Sequence, residues 1–410
     1  MRIALFHNLP SGGAKRTLYE QARRLAAEHE IDVFTLSSAE HAFADIRPFA
    51  HNHQVISFEP QPLLESPWGR LNQVFRLTDL YRLRRPLRQI ARQVESGGYD
   101  LLLAHPCRWE ATSTLLHYLH GRLPTVYYCH EPIRRFYESD PPRLYDDDNF
   151  PRRRLLNRID PLPPLYRLLL KQIDRRNIRQ AGQVLVNSVF VQTAVRRIYQ
   201  VESAVSYHGV DVDWFRPLAM ARQYMVFSVG SLTPLKGFDF LVKAVGHIPA
   251  AERPPLVIAS NSQNPPERDF LNQLAADMGV DLSLRGNITD ERLVQFYNET
   301  AVTAYTPIRE PFGLVPLEAM ACGSPIVAVR EGGVQESVLH QETGLLVERD
   351  PQQFARALQQ LLSDSELAAA YGRNGRQHVT QHWHWDRAVD TLAGHLYSAV
   401  GHKEAAIELQ

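Results

Sequence analysis

Two glutamates, Glu310 and Glu318, are the side chains whose spacing points most directly to chemistry. They lie in Glu310-Pro-Phe-Gly-Leu-Val-Pro-Leu-Glu318, which joins an apolar run at 301–305 to a helical pattern that follows Gly313. A helix N-terminus attracts phosphate through its backbone N–H groups and the helix dipole, and a glycine lets a ligand approach the main chain. Because two carboxylates would repel a phosphate, we expect them to bind hydroxyl groups attached to it, as on a sugar and a ribose.

The longer segment EPFGLV-x-LEAMACG-x-PIVA resembles the donor-site signature of the retaining GT-B-fold glycosyltransferases of family 4, also called group 1. The resemblance implies that Glu310 contacts the transferred sugar and that Glu318 holds the ribose hydroxyls of a nucleotide-sugar donor. It also implies that the amides of Phe312, Gly313 and Leu314 meet the sugar and the phosphates. A plain strand-to-helix junction with two solvated glutamates would explain neither the glycine nor the paired acids.

Two further segments resemble elements of the same family. Gly12 and Gly13 follow the first apolar run and resemble the GG loop, whose backbone approaches the donor phosphate and the acceptor; a tight turn would require the same residues. Lys236 lies in a segment similar to the GR-x-x-x-x-KG pattern, where a lysine can neutralise charge on a departing nucleoside diphosphate. Ser231 stands where the family usually has arginine, so half of the expected cationic clamp is missing.

His130 ends the apolar run at 125–130. An imidazole at the end of a strand can hydrogen-bond a reacting sugar or an acceptor hydroxyl, and the position matches the histidine that similar enzymes place near the anomeric centre. The chain has 17 histidines, and most must have surface or packing roles, so His105 and His208 are weaker candidates. Asn287 and Ser231 complete the residues predicted to bind the sugar donor.

The elements that would position these residues alternate between apolar runs and helical periodicity. Continuous apolar strands separated by helices imply parallel sheets covered on both faces, with ligands beyond the carboxyl ends of the strands. We therefore predict an α/β protein of the GT-B type, with two doubly wound Rossmann-like domains facing a central cleft. The predicted strands cover 3–7, 31–36, 101–105, 125–130, 184–188, 205–208, 225–230, 256–260, 282–285, 301–306, 326–329 and 345–347, and the predicted helices include 16–28, 238–245, 268–278 and 354–362.

A chain of 410 residues suits two domains of about 200 residues each. We predict an acceptor-side domain at 1–208, a donor-binding domain at 209–382, and a final helix at 383–410 that packs back on the first domain. A segment at 208–217 is similar to the PGVD-x-x-x-F segment that the family carries at this boundary. Residues 132–164, where Pro, Arg and Asp are crowded, are expected to form a long, partly ordered insertion.

The net charge is zero but is divided unevenly. Residues up to Val210 hold 29 Lys+Arg against 21 Asp+Glu, and the remainder holds 16 against 24, which gives +8 and −8. Much of the positive excess lies at 68–92 and 152–179, with apolar and aromatic residues between the arginines. Such a pattern fits a helix on an anionic bilayer, and it fits an ordinary solvated helix face equally well. Nucleic acid is not predicted, because no binding motif accompanies the arginines.

Several other classes of protein and site are excluded by pattern. The three cysteines, Cys107, Cys129 and Cys322, are widely separated, which indicates reduced thiols. The sequence shows no signal peptide and no apolar run long enough to span a membrane. We therefore expect a cytoplasmic protein, which would lie at the inner face of the membrane if the basic helices bind lipid. The run at 146–148 is acidic but lies in a Pro-rich polar stretch, and GT-B enzymes need no metal there. No metal or other cofactor is therefore expected, and no P-loop or Ser-His-Asp arrangement appears.

The predicted function is transfer of a hexose from a GDP- or UDP-sugar to a hydroxyl of a glycan or lipid-linked acceptor, with retention of configuration, in polysaccharide or glycolipid synthesis. The segment HEP-x-RRFY, which begins at His130, is similar to some mannosyltransferases. A nucleotide-sugar epimerase, a phosphorylase and a non-catalytic partner subunit that binds nucleotide sugars are the alternatives. The missing arginine at Ser231 supports the partner subunit, and the presence of both glutamates opposes it.

Overall fold

A computed structural model describes residues 1–65, 71–138, 160–261 and 264–407. Within these ranges the chain forms two parallel sheets, each in its own compact unit. The first unit contains the described residues up to 207 and those from 388 onward, and the second contains the described residues of 208–387. The predicted pair of doubly wound α/β domains is confirmed.

The first unit is built on a seven-stranded sheet. Its strands are β1 (Arg2–Asn8), β2 (Glu30–Leu36), β3 (Asn52–Ile56), β4 (Leu101–Cys107), β5 (Thr125–Cys129), β6 (Gln183–Val186) and β7 (Ala204–Val205). They lie in the order β3-β2-β1-β4-β5-β6-β7. The helices are α1 (Gly13–Leu25), α2 (Asn72–Arg82), α3 (Arg84–Ser96), α4 (Leu115–Leu119), α5 (Arg134–Tyr137), α6 (Leu162–Ile178) and α7 (Val189–Tyr199).

The second unit is built on a six-stranded sheet. Its strands are β8 (Gln223–Val229), β9 (Leu256–Ala259), β10 (Leu282–Arg285), β11 (Thr300–Tyr305), β12 (Ile326–Val329) and β13 (Gly344–Val347), in the order β10-β9-β8-β11-β12-β13. The remaining helices are α8 (Phe238–Gly246), α9 (Pro265–Met278), α10 (Asp290–Glu299), α11 (Leu314–Ala321), α12 (Val334–Ser337), α13 (Pro351–Ser363), α14 (Ser365–His382) and α15 (Trp385–Ile407).

Each predicted strand is present, with ends that differ by a few residues. The central strands are apolar because both faces of each sheet are covered; Ile3, Ala4 and Leu5 of β1 are fully buried. Sequence reasoning missed β3, where only Ile56 is buried. An edge strand of this kind shows no continuous apolar run, so its sequence does not distinguish it from a loop.

The last helix spans the division between the units. Val210 N–H donates to the carbonyl of Trp383 at 2.8 Å inside the second unit. Further along, the ring of Tyr397 meets the ring of His29 at 5.6 Å in the first unit. Of the insertion expected at 132–164, residues 139–159 lie outside the described residues.

The helices in the two basic segments differ in whether their apolar side chains are buried or exposed. α3 buries Leu87, Ile90 and Val94 in the core, so its arginines form an ordinary solvated face. α2 and α6 pack against each other and leave large apolar side chains exposed. In the described part of the chain, no helix has both the length and the apolar character needed to cross a bilayer.

Candidate functional site

The residues predicted to bind the sugar donor follow the carboxyl ends of strands in the second sheet. Ser231 and Lys236 follow β8, Asn287 follows β10, and Glu310 follows β11. Because these strands are all parallel, their carboxyl ends share one edge of the sheet. Asn287 adopts a left-handed conformation with φ of 53° in the turn after β10. The topology therefore places all four residues at one sheet edge.

Lys236 and Glu310 are joined directly. Lys236 Nζ donates to Glu310 Oε1 at 2.8 Å, and the two side chains are 23% and 26% exposed. Lys236 ends a short 3-10 helix, Pro234–Lys236, and Glu310 lies in the loop that precedes α11. Ion pairs that water can reach contribute little net stability. The Lys236 ammonium can therefore leave Glu310 and bind a ligand phosphate at a small cost in free energy. The Glu310 carboxylate can likewise leave Lys236 and bind a ligand hydroxyl group.

Gly313 opens α11 in a conformation that requires glycine. Its φ is 95°, and a Cβ at this position would collide with the hydroxyl of Tyr305. The helix has no side-chain cap and no acidic residue in its first turn. Phe312 buries its ring against His208 and Trp383, at centroid distances of 5.0 and 5.6 Å, which anchors the loop just before the helix. The N-terminal amides of α11 thus have no side-chain cap, and their predicted role in binding the sugar and the phosphates stays a prediction.

Glu318 is a buried carboxylate, only 4% exposed. The hydroxyl of Tyr297, on α10, donates to Glu318 Oε2 at 2.8 Å, and Tyr297 itself is fully buried. Burying a carboxylate is unfavourable unless hydrogen bonds compensate it, so the tyrosine both stabilises and orients Glu318. Sequence reasoning missed Tyr297, because its place on the buried face of an amphipathic helix is typical of a packing residue.

Cys322 is adjacent to this carboxylate but is not poised as a nucleophile. Burial, together with the nearby charge of Glu318, raises the pKa of the Cys322 thiol to about 12. The thiol is therefore protonated at neutral pH, and the thiolate is the reactive form of cysteine. Cys322 is accordingly a packing residue.

Two of the chain's three glycine pairs, Gly12–Gly13 and Gly332–Gly333, have different surroundings. A Cβ at Gly12 or Gly13 would meet nothing within 4 Å, so the space beside this turn is open. A Cβ at Gly332 or Gly333 would collide with the backbone of residues 310 and 311. Gly332 and Gly333 therefore let a turn pack closely under Glu310. Gly12 and Gly13 instead leave the N-terminus of α1 open to a ligand.

His130 lies just after β5 and belongs to the first unit. Its Nε2 is 3.2 Å from His105 Nδ1, and its ring is 5.0 Å from the ring of Tyr128. Burial lowers the pKa of His130 to about 3. The imidazole is therefore neutral at physiological pH and is suited to hydrogen bonding, whereas it would be a poor general base. His105 is thus brought next to His130, while His208 lies in the second unit against Phe312.

Lys15, in the first turn of α1, is a buried cation that sequence reasoning did not single out. It is fully buried, and its Nζ lies 3.4 Å from Nε2 of His7. Burial lowers the pKa of Lys15 to about 8. A lysine after a glycine pair carries no sign of burial in the sequence, because lysines at helix starts are usually solvated. The structure therefore adds a positive charge close to the Gly12–Gly13 turn.

The charge of Lys15 should reduce the stability of the fold. We expect Lys15→Met to raise the free energy of unfolding at pH 7 by about 1–3 kcal/mol. The pKa is lower in the folded chain, about 8, than its ordinary value of 10.5, so between these pH values the unfolded chain binds the extra proton. Stability of the wild type should rise across this range, and the advantage of the variant should shrink. Urea unfolding at pH 7 and at pH 9.5 measures both effects.

The partly exposed Lys243, which pairs with Asp239, provides the matched control for this substitution. Lys243→Met should change stability by less than about 0.5 kcal/mol at either pH. Equal stability of wild type and Lys15→Met at pH 7 would show that the buried ammonium carries no penalty.

Potential metal-binding residues are grouped elsewhere in the described chain. The one cluster of this kind found there is Glu30, Asp32 and His51, at the amino ends of β2 and β3. Arg2 and Tyr99 already donate to Asp32, at 3.0 and 2.6 Å. This cluster is a structural ion-pair network at the opposite edge of the first sheet from Gly12 and His130. The acidic run at 146–148 lies outside the described residues.

Two family models match the chain in succession. "Glycosyltransferase Family 4" matches residues 11–214, and "Glycosyl transferases group 1" matches residues 213–378. A D-inositol 3-phosphate glycosyltransferase of Salinispora arenicola is 27% identical over 93% of this chain and 86% of its own. One from Acidothermus cellulolyticus is 35% identical over 48% of each chain.

A third relative has a defined sugar donor. The GDP-mannose-dependent alpha-(1-6)-phosphatidylinositol monomannoside mannosyltransferase of Mycobacterium tuberculosis is 35% identical over 46% of this chain and 54% of its own. The chain thus spans about half the length of most of the curated relatives it matches.

Solved structures share the fold over nearly the whole chain. Sucrose-phosphate synthase of Thermosynechococcus elongatus has a TM-score of 0.73 at 21% identity, and covers 98% of this chain and 99% of its own. HepE of Anabaena, in complex with UDP-glucose, has a TM-score of 0.67 at 20% identity, and covers 97% and 100%. At this level of identity the similarity establishes the architecture alone.

Proposed function

The chain belongs to the GT-B glycosyltransferases of group 1, and we propose that it transfers a hexose from a GDP- or UDP-sugar to an acceptor hydroxyl with retention of configuration. The second unit would bind the sugar donor, and the first would bind the acceptor. GDP-mannose is the donor to test first, because a relative that is 35% identical over about half of its length depends on it. UDP-glucose is the second, because a solved neighbour binds it.

The observation that carries the proposal is the grouping of charges around the start of α11. Lys236 and Glu310 pair at 2.8 Å just before this helix, and Glu318 lies buried inside it. The site thus offers a cation and uncapped amides for a diphosphate, together with two carboxylates for hydroxyl groups. In the proposed complex, Glu318 accepts from the ribose hydroxyls, Glu310 accepts from the sugar, and Lys236 turns to the phosphate.

The reaction then follows from charge development. The bond between the anomeric carbon and the diphosphate oxygen breaks, and Lys236 with the α11 amides stabilises the negative charge that develops on the phosphate. The acceptor oxygen forms its bond to the same carbon on the same face. Its proton passes to the leaving phosphate oxygen, so the products are a glycoside and a nucleoside diphosphate. This route needs no separate base, which suits the neutral His130 as a hydrogen-bonding residue.

The direct test is the anomeric configuration of the product. The full-length protein is incubated with GDP-mannose or UDP-glucose and candidate acceptors, and the new glycosidic linkage is analysed by NMR. A product with the configuration of the donor supports the proposal. Inverted product, isomerised donor without transfer, or turnover that depends on inorganic phosphate would each contradict it, and the last two would identify an epimerase or a phosphorylase.

Metal removal should leave turnover unchanged. Positive charge for the leaving diphosphate is supplied in the proposal by Lys236 and the N-terminus of α11, so no divalent cation is required. Dialysis against EDTA is expected to change kcat by less than about twofold, and added Mg²⁺ or Mn²⁺ should not raise it. A large loss of kcat that Mg²⁺ restores would contradict this part of the proposal.

The acceptor is proposed to be a glycan or a lipid-linked molecule at the inner face of a membrane. α2 and α6 pack together and expose apolar side chains next to basic ones. Leu71, Val74, Tyr81, Leu165, Leu168 and Leu169 are exposed, and Arg76, Arg82, Arg167, Arg175 and Arg176 are exposed beside them in the sequence. Exposed apolar groups with adjacent arginines suit the headgroup region of an anionic bilayer. The three free, buried cysteines suit a reducing compartment.

Binding to vesicles tests this surface. The protein should sediment with vesicles that contain phosphatidylglycerol and not with neutral phosphatidylcholine vesicles, and Leu168→Glu should weaken binding by about tenfold or more, because it puts a negative charge into the apolar patch. Arg88→Glu on α3, whose apolar face is buried, is the matched control and should weaken binding less. Equal binding to both vesicle types would argue for an ordinary solvated face.

A further inference from the structure

The loop between β11 and Glu310 is fixed by an arginine from another part of the second unit. Arg349 follows β13, and its guanidinium donates through Nη1 to the carbonyl of Thr306 at 3.1 Å. Nη2 donates to the carbonyl of Pro307 at 2.8 Å. These two residues begin the segment that ends at Glu310. Arg349 therefore determines where that segment leaves the sheet.

The same guanidinium forms a two-point ion pair with Glu331. Its Nε donates to Oε1 at 2.8 Å and its Nη2 donates to Oε2 at 3.0 Å. Such fork-to-fork pairing fixes orientation as well as distance, which a lysine cannot do. Glu331 directly precedes Gly332 and Gly333, and Gly333 N–H donates to the carbonyl of Glu310 at 2.9 Å. The ion pair thus links the start of the loop to the turn that holds the backbone of Glu310.

Lys236 is connected to the same loop through its backbone. The hydroxyl of Thr306 donates to the carbonyl of Lys236 at 3.0 Å. Ile308 N–H donates to the carbonyl of Leu235 at 2.8 Å. A shift of residues 306–308 would therefore move the backbone of both members of the Lys236–Glu310 pair.

We infer that the Arg349–Glu331 ion pair is a positioning element for the sugar-donor site, acting through the backbone of Glu310 and Lys236. This inference rests on the proposed function. Glu331 neutralises the charge of Arg349, and two backbone carbonyls take further N–H groups of the guanidinium. Arg349 accordingly holds the loop and does not supply the phosphate-binding charge that is missing at Ser231.

Arg349→Lys tests the inference, because it keeps the positive charge and removes the planar guanidinium that makes the two-point contact with Glu331. Misplacing reacting groups by about 1 Å can cost about 10²-fold, so kcat is expected to fall by about 10- to 100-fold. The dissociation constant of the nucleoside diphosphate without a sugar should change less than kcat does, and by less than the roughly tenfold expected when Lys236 itself is removed, since Glu318 and Tyr297 lie on α11 and α10, outside this loop. Glu331→Gln should likewise lower kcat more than it weakens the affinity for the nucleoside diphosphate.

A second two-point Arg–Glu pair in the same unit is the matched control. Arg292 donates to Glu299 through Nη1 at 2.7 Å and through Nη2 at 3.0 Å, on α10. Arg292→Lys should lower the melting temperature about as much as Arg349→Lys does, and it should leave kcat unchanged. Comparing the two variants distinguishes the effect of losing an ion pair, which both share, from the effect of displacing the sugar-donor site, which only Arg349→Lys should show.

Each outcome distinguishes the inference from the function on which it rests. Equal kcat in Arg349→Lys and Arg292→Lys, with an active wild type, would overturn the positioning role and leave the proposed function intact. A wild type inactive with every donor would overturn the function. In that case, calorimetry still tests the positioning role: Arg349→Lys should weaken binding of the nucleotide sugar more than that of the nucleoside diphosphate, and an equal effect on both would overturn it.

Discussion

Glu310→Gln is expected to lower kcat by about 10²–10³-fold while the protein remains folded. The substitution keeps the size of the side chain and removes its negative charge. In the proposed complex, this carboxylate accepts hydrogen bonds from the transferred sugar. Glu310 is partly exposed and lies in a loop, so its change should shift the melting temperature by no more than about 2 °C. Steady-state turnover with a saturating sugar donor, together with a thermal melt, measures both quantities.

Glu348→Gln is the control for Glu310→Gln. Glu348 follows β13, its side chain is 69% exposed, and its carboxylate lies 3.6 Å from the guanidinium of Arg330. Its substitution should leave kcat within about twofold of the wild type. If Glu310→Gln retained near-normal turnover, the assignment of this carboxylate to the reaction would be wrong.

Lys236→Met has the second large expected effect. Removing the ammonium takes away positive charge from the leaving diphosphate, so kcat should fall by about 10²–10³-fold and the affinity for the nucleoside diphosphate by about tenfold. Lys243→Met, which removes a partly exposed lysine on α8, should change neither. Near-normal turnover in Lys236→Met would contradict the proposed role of this residue.

The contact between Lys236 and Glu310 also predicts how the two changes combine. Residues that share one interaction give non-additive effects in a double-mutant cycle. The double variant Lys236→Met/Glu310→Gln should therefore lose less activity than the product of the two single losses. Strictly multiplicative losses would show that the 2.8 Å pair has no part in the active arrangement.

The fold was largely predictable because buried parallel strands carry their own signal. Runs such as Leu101–His105 and Ile326–Val329 are apolar on both faces, which only a covered sheet explains. β3 escaped prediction, because an edge strand with polar residues lacks this signal. The helices that follow the strands could be placed from their periodicity, although α1 begins three residues earlier than predicted, at Gly13.

The local structure at the candidate site was predictable where backbone geometry demands a residue type. Gly313 is such a position, because its φ of 95° and the nearby Tyr305 hydroxyl admit no side chain. Glu310 and Glu318 were found by their spacing from this glycine. The roles assigned to both glutamates stay predictions, as do those assigned to Lys236, Ser231, Asn287 and His130.

The supporting residues could not be predicted, since their partners are far away in sequence. Tyr297 meets Glu318 across 21 positions, and Arg349 reaches Thr306 across 43. Each has a composition typical of its element, a tyrosine on a buried helix face and an arginine after a strand. Only the tertiary arrangement shows that they orient the residues around the start of α11.

The missing arginine at Ser231 has a consequence for the proposed chemistry. Ser231 is exposed after β8, and Arg349 is held by Glu331. The proposal therefore assigns the diphosphate to Lys236 and the N-terminus of α11. Ser231→Arg should then raise affinity for the nucleoside diphosphate, because it adds a second cation at this sheet edge.

The most direct test of the account is thermal stabilisation by nucleotide sugars. Binding to the folded state alone at about 100 times the dissociation constant adds about 2.7 kcal/mol of stability. With GDP-mannose or UDP-glucose, the melting temperature of the wild type should therefore rise by about 4–8 °C. In Glu318→Gln, which removes the carboxylate assigned to the ribose, the shift should be lost. No shift with any nucleotide sugar, or an equal shift in Glu318→Gln, would contradict the account.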